Sequence, residues 1–366
     1  MKKEIGGDFE ISLDILFDRS PIKEIQLLDY LNKKINDIVY LANGRTAIKL
    51  ILLNILRKRE VKRIWLPSYL CETVIQPFRE LNIRYEFYNL NEELEIDIRY
   101  LIRKIKRGDL LFITYYFGFL PSYEIIEFLL ELKSSGFIII KDATHSFLSE
   151  VKNNEKESHY EIISLRKWFA IPEGGVAISF NDIFSKELKY EKPLSSFAYL
   201  RFVASLLKYL YLNEMIEDKD YFRKMYEKAE KIACGEIKLN IMSDLSFKLL
   251  KGLNLKEICK KRRSNYLYLL KNLKFNKMIS PLFNNFDEKI CPIGFPIICK
   301  ERNKLRKYLV ENNIYCPIHW QISDYITNKF SFSNYISKHI MTIPCDQRYT
   351  IIDMDYIIKI IERYIG

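Results

Sequence analysis

Predicted strands alternate with predicted helices through the first 142 residues of this 366-residue chain. The apolar strand patterns are Ile38–Ala42, Val61–Leu66, Arg84–Tyr88, Asp109–Tyr116 and Phe137–Lys141. The helical patterns between them are Ala47–Arg57, Cys71–Leu81, Ile96–Lys106 and 123–134. This alternation is typical of a mostly parallel sheet that is covered by helices on both faces and binds ligands beyond the carboxyl ends of its strands. We therefore predict an α/β fold.

The second half of the chain has a different pattern. Residues 181–240 are helical and amphipathic, and a helical pattern continues over Lys256–Asn272. A short α+β pattern follows at 294–344. Thr350 then opens a last helix with a capping box.

These patterns predict two domains. The first is a large α/β domain at 1–240, which includes the helical segment 181–240, and the second is a smaller α+β domain at 241–366. A further helix is predicted at 20–37, where apolar residues recur at helical spacing.

Composition argues against several classes of protein. The net charge is +11, but lysine and arginine are spread along the chain instead of lying on one stripe, so no nucleic-acid partner is predicted. The seven cysteines form no CxxC pair, which argues against disulfides and a structural metal site and favours a reducing compartment. No apolar run approaches the roughly 18 residues of a membrane span. We expect a cytoplasmic protein with no membrane partner.

One lysine stands between a strand pattern and a Gly-Gly turn, in the segment Ser164-Leu-Arg-Lys-Trp-Phe-Ala-Ile-Pro-Glu-Gly-Gly175. Upstream, Asp142 directly follows the buried-strand pattern Phe137–Lys141. A lysine amine that forms a Schiff base and a carboxylate that pairs with a ring nitrogen are what pyridoxal phosphate (PLP) requires. A lone loop lysine is more often a surface residue, and an aspartate after a strand often caps a turn. Together they favour Lys167 and Asp142 as catalytic residues.

A candidate phosphate site lies at the start of the first helix after the strand Ile38–Ala42. Gly44, Arg45 and Thr46 begin that helix, where backbone N–H groups and the helix dipole attract anions and glycine permits close approach. Plain N-capping by Asn43 is the alternative interpretation. Ser164 is a second candidate phosphate ligand through its hydroxyl.

Taken in order, these motifs resemble the DegT/DnrJ/EryC1/StrS family, PLP-dependent sugar aminotransferases of aminotransferase fold type I. The similar segments are 43–48, 67–69, 116–118, 141–145, Lys167 with 173–175, 313–319 and 341–344. The resemblance covers roughly 38–180 and 290–366. Two features depart from the family pattern. Ser164 and Lys167 are closer together than the family's serine and lysine, and Asn240-Ile-Met-Ser243 lacks the arginine of the family's Asn-x-Arg-Met-Ser stretch.

The resemblance implies further contacts with the cofactor. His145 would hydrogen-bond the phenolic oxygen of the cofactor, and Tyr69 would lie against its ring. Cys71 occupies the position of the family's ring-stacking aromatic residue, and Asn240 matches the stretch that reaches the cofactor phosphate.

The substrate side of the site is implied in the same way. Tyr116 is a candidate for contact with the ring or the substrate, and His319 for contact with the substrate. The family's reaction implies an amino group moved from an amino acid such as glutamate to a keto sugar, nucleotide-linked, in polysaccharide or secondary-metabolite synthesis. A homodimer is expected. Another PLP-dependent reaction (lyase, dehydratase or decarboxylase) and a non-catalytic regulatory relative remain open alternatives.

Overall fold

The structure is a computed structural model that describes residues 4–16, 35–149, 156–251, 253–323, 326 and 328–365. The helix predicted at 20–37 lies outside the described residues up to position 34. The strands are β1 (Ile5–Gly6), β2 (Asp37–Leu41), β3 (Arg63–Pro67), β4 (Tyr85–Tyr88), β5 (Asp109–Thr114), β6 (Ile138–Asp142), β7 (Tyr160–Ser164), β8 (Gly175–Ser179), β9 (Ile279–Pro281), β10 (Phe295–Cys299), β11 (Ile314–Tyr315) and β12 (Ile340–Ile343).

The α-helices of the described residues are α1 (Gly44–Leu56), α2 (Gln76–Glu80), α3 (Ile98–Ile102), α4 (Tyr123–Ser134), α5 (Ser195–Leu212), α6 (Asp220–Ala233), α7 (Asp244–Lys251), α8 (Leu255–Asn272), α9 (Arg302–Glu311), α10 (Ser331–His339) and α11 (Ile351–Ile365). None of them is both long enough and apolar enough to cross a lipid bilayer.

The chain divides into two compact units that alternate along the sequence. The first unit contains Asp8–Glu60 and Tyr160–Leu255, and the second contains Glu4–Gly7, Val61–His159 and Lys256–Gly366. The domain boundary at residue 240 stays a prediction.

The first unit is built on three antiparallel strands in the order β2-β8-β7. Gly175, the first residue of β8, pairs with Leu41 at the end of β2 and with Ser164 at the end of β7. The turns that follow β2 and β7 therefore lie at one edge of this sheet, together with the turn that precedes β8.

Helices α5 and α6 pack against each other in the first unit, and α5 has an unusual charge distribution. Its Arg201 and Lys208 are buried, and they pair with Asp8, Glu230 and Glu10. Buried cations are tolerated when carboxylates compensate them, so these ion pairs fix residues 8–10 along α5.

The second unit contains four parallel strands in the order β6-β5-β3-β4. Strands β5 and β6 are apolar on both faces, as in Leu110–Ile113 and Ile138–Ile140, because helices cover parallel sheets on both sides. Thr114 pairs with Asp142, so the residues that follow β5 and β6 emerge at the same carboxyl edge.

The C-terminal part of the second unit has a sheet and a core of its own. Its antiparallel sheet has the order β12-β10-β9, and β11 pairs in parallel with the short β1. Helices α8, α9 and α11 supply buried side chains to a core that includes Tyr266, Leu305 and Met354.

Several predicted elements are shorter in the structure. The helix predicted at Cys71–Leu81 is a 3-10 turn at Glu72–Val74 followed by α2, in which Pro77 occupies the first turn. The strand predicted at Ile314–His319 ends at Tyr315, ahead of Pro317, which has no N–H to donate to a sheet.

Candidate functional site

Lys167 is the last residue of a 3-10 turn, Leu165–Lys167, that directly follows β7. The side chains of Leu165, Trp168 and Phe169 are almost completely buried and anchor this turn, while Lys167 is half-buried. The Leu165 N–H donates to the Gly174 carbonyl (3.0 Å), which closes the loop between β7 and β8. The lysine is therefore held on a short, well-anchored turn. Residues 165–174 are called the lysine turn below.

The lysine turn packs on the start of α1. The Gly174 N–H donates to the Ala42 carbonyl (2.9 Å), and a Cβ atom on Gly175 would clash with the backbone of Asn43. Only glycine at 175 permits this approach. Asn43 caps α1, because its Oδ1 accepts from the Thr46 N–H (3.1 Å), so the capping role that the sequence left open is present.

Ser164 lies beside the first residue of α1. A Cβ atom on Gly44 would be 3.6 Å from the Ser164 Cβ. First-turn N–H groups have no acceptor within their own helix, and the positive end of the helix dipole adds to their attraction for anions. The hydroxyl of Ser164, the N–H groups at Gly44 and Arg45, and the space that Gly44 leaves open form a donor set that fits a phosphate group.

Two predicted phosphate ligands direct their side chains elsewhere. The Arg45 guanidinium donates to the carbonyl of Ala233 (2.9 Å), the last residue of α6, and Thr46 is buried with its Oγ1 3.3 Å from the Asn43 Oδ1. An anion at this helix end would therefore meet the backbone N–H of Arg45, since the Thr46 N–H already donates to the Asn43 Oδ1 (3.1 Å). The Asn240 Nδ2 donates to the Lys192 carbonyl (2.8 Å), and the Asn240 carbonyl accepts from the Ala42 N–H (2.9 Å).

Arg166 precedes the lysine, but its guanidinium is paired with Glu230 (3.0 Å). Glu230 also binds Arg201 (2.6 Å). Burial and the charge of Arg201 lower the pKa of Arg166. The carboxylate of Glu230 thus compensates the charges of both arginines.

In the second unit, Asp142 is the final residue of β6 and is half-buried. Its Oδ1 accepts from the Thr144 N–H (2.9 Å), which forms a tight turn after the strand. Its Oδ2 makes no hydrogen bond within the part of the chain that the structure describes. The Asp142 carboxylate therefore supports the turn through Oδ1 and can bind another partner through Oδ2.

His145 is buried, and its hydrogen bonds assign its tautomer. The Phe117 N–H donates to His145 Nδ1 (3.4 Å). Because a backbone N–H can only donate, Nδ1 is the acceptor, and a neutral ring carries its proton on Nε2. His145 thus has an N–H donor, which is what hydrogen bonding to a phenolic oxygen requires.

Aromatic rings surround His145 in the second unit. Trp320 stacks on His145 with ring centroids 5.1 Å apart, and His319 lies 5.4 Å from His145. Tyr69 lies 5.5 Å from Trp320 and 5.8 Å from Tyr116, whose hydroxyl donates to the Tyr69 carbonyl. The structure therefore brings Tyr69, Tyr116, His145 and His319 together. Trp320 belongs to the same group, and the only sequence signal for it was an aromatic residue next to His319.

The remaining contacts of this group concern protonation and orientation. Burial raises the pKa of Tyr69 and Tyr116, so both phenols stay protonated near neutral pH. His319 Nδ1 lies 2.9 Å from the Thr342 Oγ1, which orients the ring. Cys71 is half-buried, with its Sγ 3.0 Å from the Thr73 Oγ1, and provides no ring on which a cofactor could stack.

No cluster of three His, Cys, Asp or Glu side chains suited to a metal ion occurs among the residues described.

Several solved structures of proteins named as aminotransferases share this fold over nearly the whole chain. PseC of Helicobacter pylori, an aminotransferase of pseudoaminic acid biosynthesis, is similar over 99% of both chains, with a TM-score of 0.66 and 13% identity. Spr1654 from Streptococcus pneumoniae, in its PLP form, is also similar over 99% of both chains, with a TM-score of 0.68 and 14% identity.

A DegT DnrJ EryC1 StrS aminotransferase from Brucella abortus has a TM-score of 0.63 and 15% identity, with 98% of this chain and 92% of that chain covered. No family model and no curated protein matches the sequence itself. The predicted α/β fold with a smaller C-terminal α+β part is confirmed, because the likeness spans nearly the whole chain.

Proposed function

We propose that the protein is a PLP-dependent aminotransferase of the DegT/DnrJ/EryC1/StrS family. The observation that carries the proposal is Lys167, held on a short turn between β7 and Gly174-Gly175 in a chain with the fold of known aminotransferases. Fold alone does not establish activity, so the side chains near Lys167 and Asp142 have to support the proposal.

The donor set of the structure fits the cofactor. We assign the phosphate of PLP to the first-turn N–H groups of α1 together with Ser164, with Asn240 at the same edge of the sheet. Asp142 would hold the proton on the ring nitrogen through the carboxylate oxygen that the turn leaves unused. His145 would donate its Nε2–H to the phenolic oxygen. Tyr69 is assigned to one face of the ring, and Cys71, which offers no ring for stacking, to a van der Waals contact with the cofactor.

When bound, PLP supplies an electron-accepting ring that stabilises negative charge on the substrate carbon that bears the amino group. Lys167 would attach the cofactor and, once the substrate amine displaces it, would move the proton between that carbon and C4′ of the cofactor. A lysine amine can accept a proton from carbon only when it is itself uncharged. Partial burial favours the uncharged form near neutral pH. Asp142 would keep the ring nitrogen protonated throughout.

For the substrates, we infer an amino acid donor such as glutamate and a keto sugar acceptor, nucleotide-linked, in polysaccharide or secondary-metabolite synthesis. The aromatic group around Trp320, with Tyr116 and His319, would face the acceptor. The similarity to Spr1654, which is named a putative sugar aminotransferase, supports a sugar substrate. The two half-reactions would share Lys167, which predicts ping-pong kinetics.

We also infer a cytoplasmic homodimer that acts on small molecules without nucleic acid or membrane. The family resemblance supports the dimer. None of the seven cysteines, all of which are described, forms a disulfide, which suits a reducing compartment.

An absorbance titration with PLP tests the proposal. The wild-type protein should develop a band at the edge of the visible range, which Lys167→Ala abolishes and the exposed control Lys189→Ala retains. Adding glutamate should bleach the band and release 2-oxoglutarate. A protein that stays colourless with PLP would refute the cofactor assignment, whereas a band that glutamate leaves intact would favour a lyase, dehydratase or decarboxylase.

A further inference from the structure

Glu173 is a buried carboxyl group with no assigned role. It lies just before β8, at the end of the lysine turn, and is 1% exposed. Its Oε1 accepts from the Ser243 N–H (2.8 Å), while its Oε2 is buried without a hydrogen-bond partner in the described chain. A buried carboxyl with a single partner is costly to desolvate, so its presence needs an explanation.

On one side, Glu173 is joined to the lysine turn through the backbone. The next residue, Gly174, accepts from the Leu165 N–H (3.0 Å) and donates to the Ala42 carbonyl (2.9 Å). These two hydrogen bonds close the turn that carries Lys167 and attach it to the residues just before α1. Any displacement of Glu173 would therefore move both the lysine turn and the residues just before α1.

On the other side, Glu173 holds the segment Asn240–Ser243 through its side chain. This segment lies along β2, because the Ala42 N–H donates to the Asn240 carbonyl (2.9 Å) and the Met242 N–H donates to the Tyr40 carbonyl (3.2 Å). Ser243 directly precedes α7, and its Oγ accepts from the Ser246 N–H (3.4 Å). The carboxyl of Glu173 thus joins two segments that are 70 residues apart.

We propose that Glu173 is a positioning residue that ties the lysine turn to segment 240–243 and thereby fixes Lys167 relative to the start of α1. Its importance for catalysis rests on the function proposed above, but the tie itself is a property of the protein without cofactor. Burial raises the pKa of Glu173, and either protonation state keeps Oε1 as an acceptor for the Ser243 N–H.

A simple helix cap is the competing interpretation. If Glu173 only satisfied the N–H group ahead of α7, its removal would loosen α7 and leave the lysine turn unchanged. If Glu173 connects the two segments, its removal would loosen both the lysine turn and α7. Ser243→Ala is the matched control, because it removes the capping hydroxyl of α7 but keeps the backbone N–H that Glu173 binds.

Hydrogen–deuterium exchange of the cofactor-free protein separates the two interpretations. In Glu173→Ala, amides in 164–175 and in 240–251 should both exchange roughly tenfold faster, since a buried hydrogen bond is lost. Ser243→Ala should accelerate only 240–251. Glu173→Gln, which keeps a carbonyl oxygen for Ser243, should restore protection in both segments.

Unchanged exchange at 164–175 in Glu173→Ala would overturn the proposal. If that variant does not fold, Glu173→Asp, which withdraws the oxygen by one carbon, takes its place with the same expectations. A parallel titration should show PLP affinity about tenfold weaker in Glu173→Ala and near wild type in Glu173→Gln. If the wild type binds no PLP, the proposed function fails. The exchange result would still show whether Glu173 connects the lysine turn to segment 240–243.

Discussion

The two carboxylate oxygens of Asp142 have different roles, and one substitution can separate these roles. Its Oδ1 supports the turn at Thr144, and its Oδ2 is assigned to the ring nitrogen of the cofactor. Asparagine preserves the turn, because its side-chain carbonyl accepts the same hydrogen bond, but it cannot hold a proton on the ring. We predict that Asp142→Asn lowers the glutamate-dependent transamination rate by about 100-fold or more and leaves the melting temperature within about 2 °C of wild type.

The control for this prediction is Asp97→Asn. Asp97 caps α3 by accepting from the Tyr100 N–H (2.9 Å), and no cofactor role is assigned to it. Its variant should keep the wild-type rate. An Asp142→Asn variant with a rate within threefold of wild type would show that the carboxylate only supports the turn.

Lys141, next to Asp142, belongs to a buried ion pair. Its Nζ lies 2.9 Å from Glu157 Oε1, both side chains are 3% exposed, and the Tyr115 hydroxyl donates to the same oxygen (2.8 Å). Burial alone raises the pKa of Glu157, but the charge and hydrogen bond of Lys141 lower it to about 2. Because this lies below the value of roughly 4.3 in an unfolded chain, Glu157 stabilises the fold above pH ~4.3, and this contribution disappears as the pH falls towards 2.

We predict that Lys141→Met costs about 3–5 kcal/mol at pH 7, since it leaves a buried carboxylate without its cation. The variant should also recover stability between pH 7 and 5, where protonation of Glu157 relieves the penalty, whereas the wild type should not. Urea unfolding at the two pH values measures both effects. The exposed control Lys189→Met should behave as wild type, and an equal loss at both pH values would contradict the electrostatic explanation.

The sequence predicted where several candidate site residues stand in the fold, because those positions depend on local pattern. Asp142 and Ser164 end strands that were visible as short apolar runs, and Lys167 follows in the next turn. The direction of the Arg45 side chain and the partner of Glu173 could not be predicted. Their acceptor and donor, Ala233 and Ser243, lie 188 and 70 residues away, and the fold alone brings them close.

At the scale of elements, Gly175 decides whether β8 can pair with β2 beside the start of α1. A Cβ atom there would clash with the Asn43 backbone, which cannot yield without shifting β2 or α1. We predict that Gly175→Ala costs about 1–3 kcal/mol and weakens PLP binding. Gly235→Ala is the matched control, because the nearest atom to its added carbon is 4.0 Å away. Equal unfolding midpoints in urea for the two variants would contradict this packing argument.

Element lengths were predictable where one interaction dominates. Helix α4 matches its predicted span of 123–134, because apolar periodicity sets it. Helix α3 is shorter than the predicted Ile96–Lys106, because the side chain of Asp97 caps it at Tyr100 and the helix ends at Ile102. Such a boundary depends on one capping hydrogen bond, which periodicity does not reveal.

At the scale of the molecule, the buried core of the C-terminal part decides whether it can fold alone. Apart from Ile5, the buried residues of that core all lie between Tyr266 and Ile361. Some apolar side chains in the same stretch, such as Ile336 and Ile340, pack instead against the core of the parallel strands. A fragment covering 241–366 therefore keeps nearly all of one core and exposes part of a second apolar face.

We predict that the fragment 241–366 folds cooperatively and melts at a lower temperature than the intact chain, as the domain boundary at residue 240 implies. Circular dichroism at 222 nm would follow the transition. Two aspartate substitutions in α11 make the test more specific. Met354→Asp, at a fully buried position, should abolish the melting transition. Ile352→Asp, at a position that is 69% exposed, should preserve the transition. Because burying an unpaired carboxylate costs far more than exposing one, similar melts for the two variants would mean that this core does not form outside the whole chain.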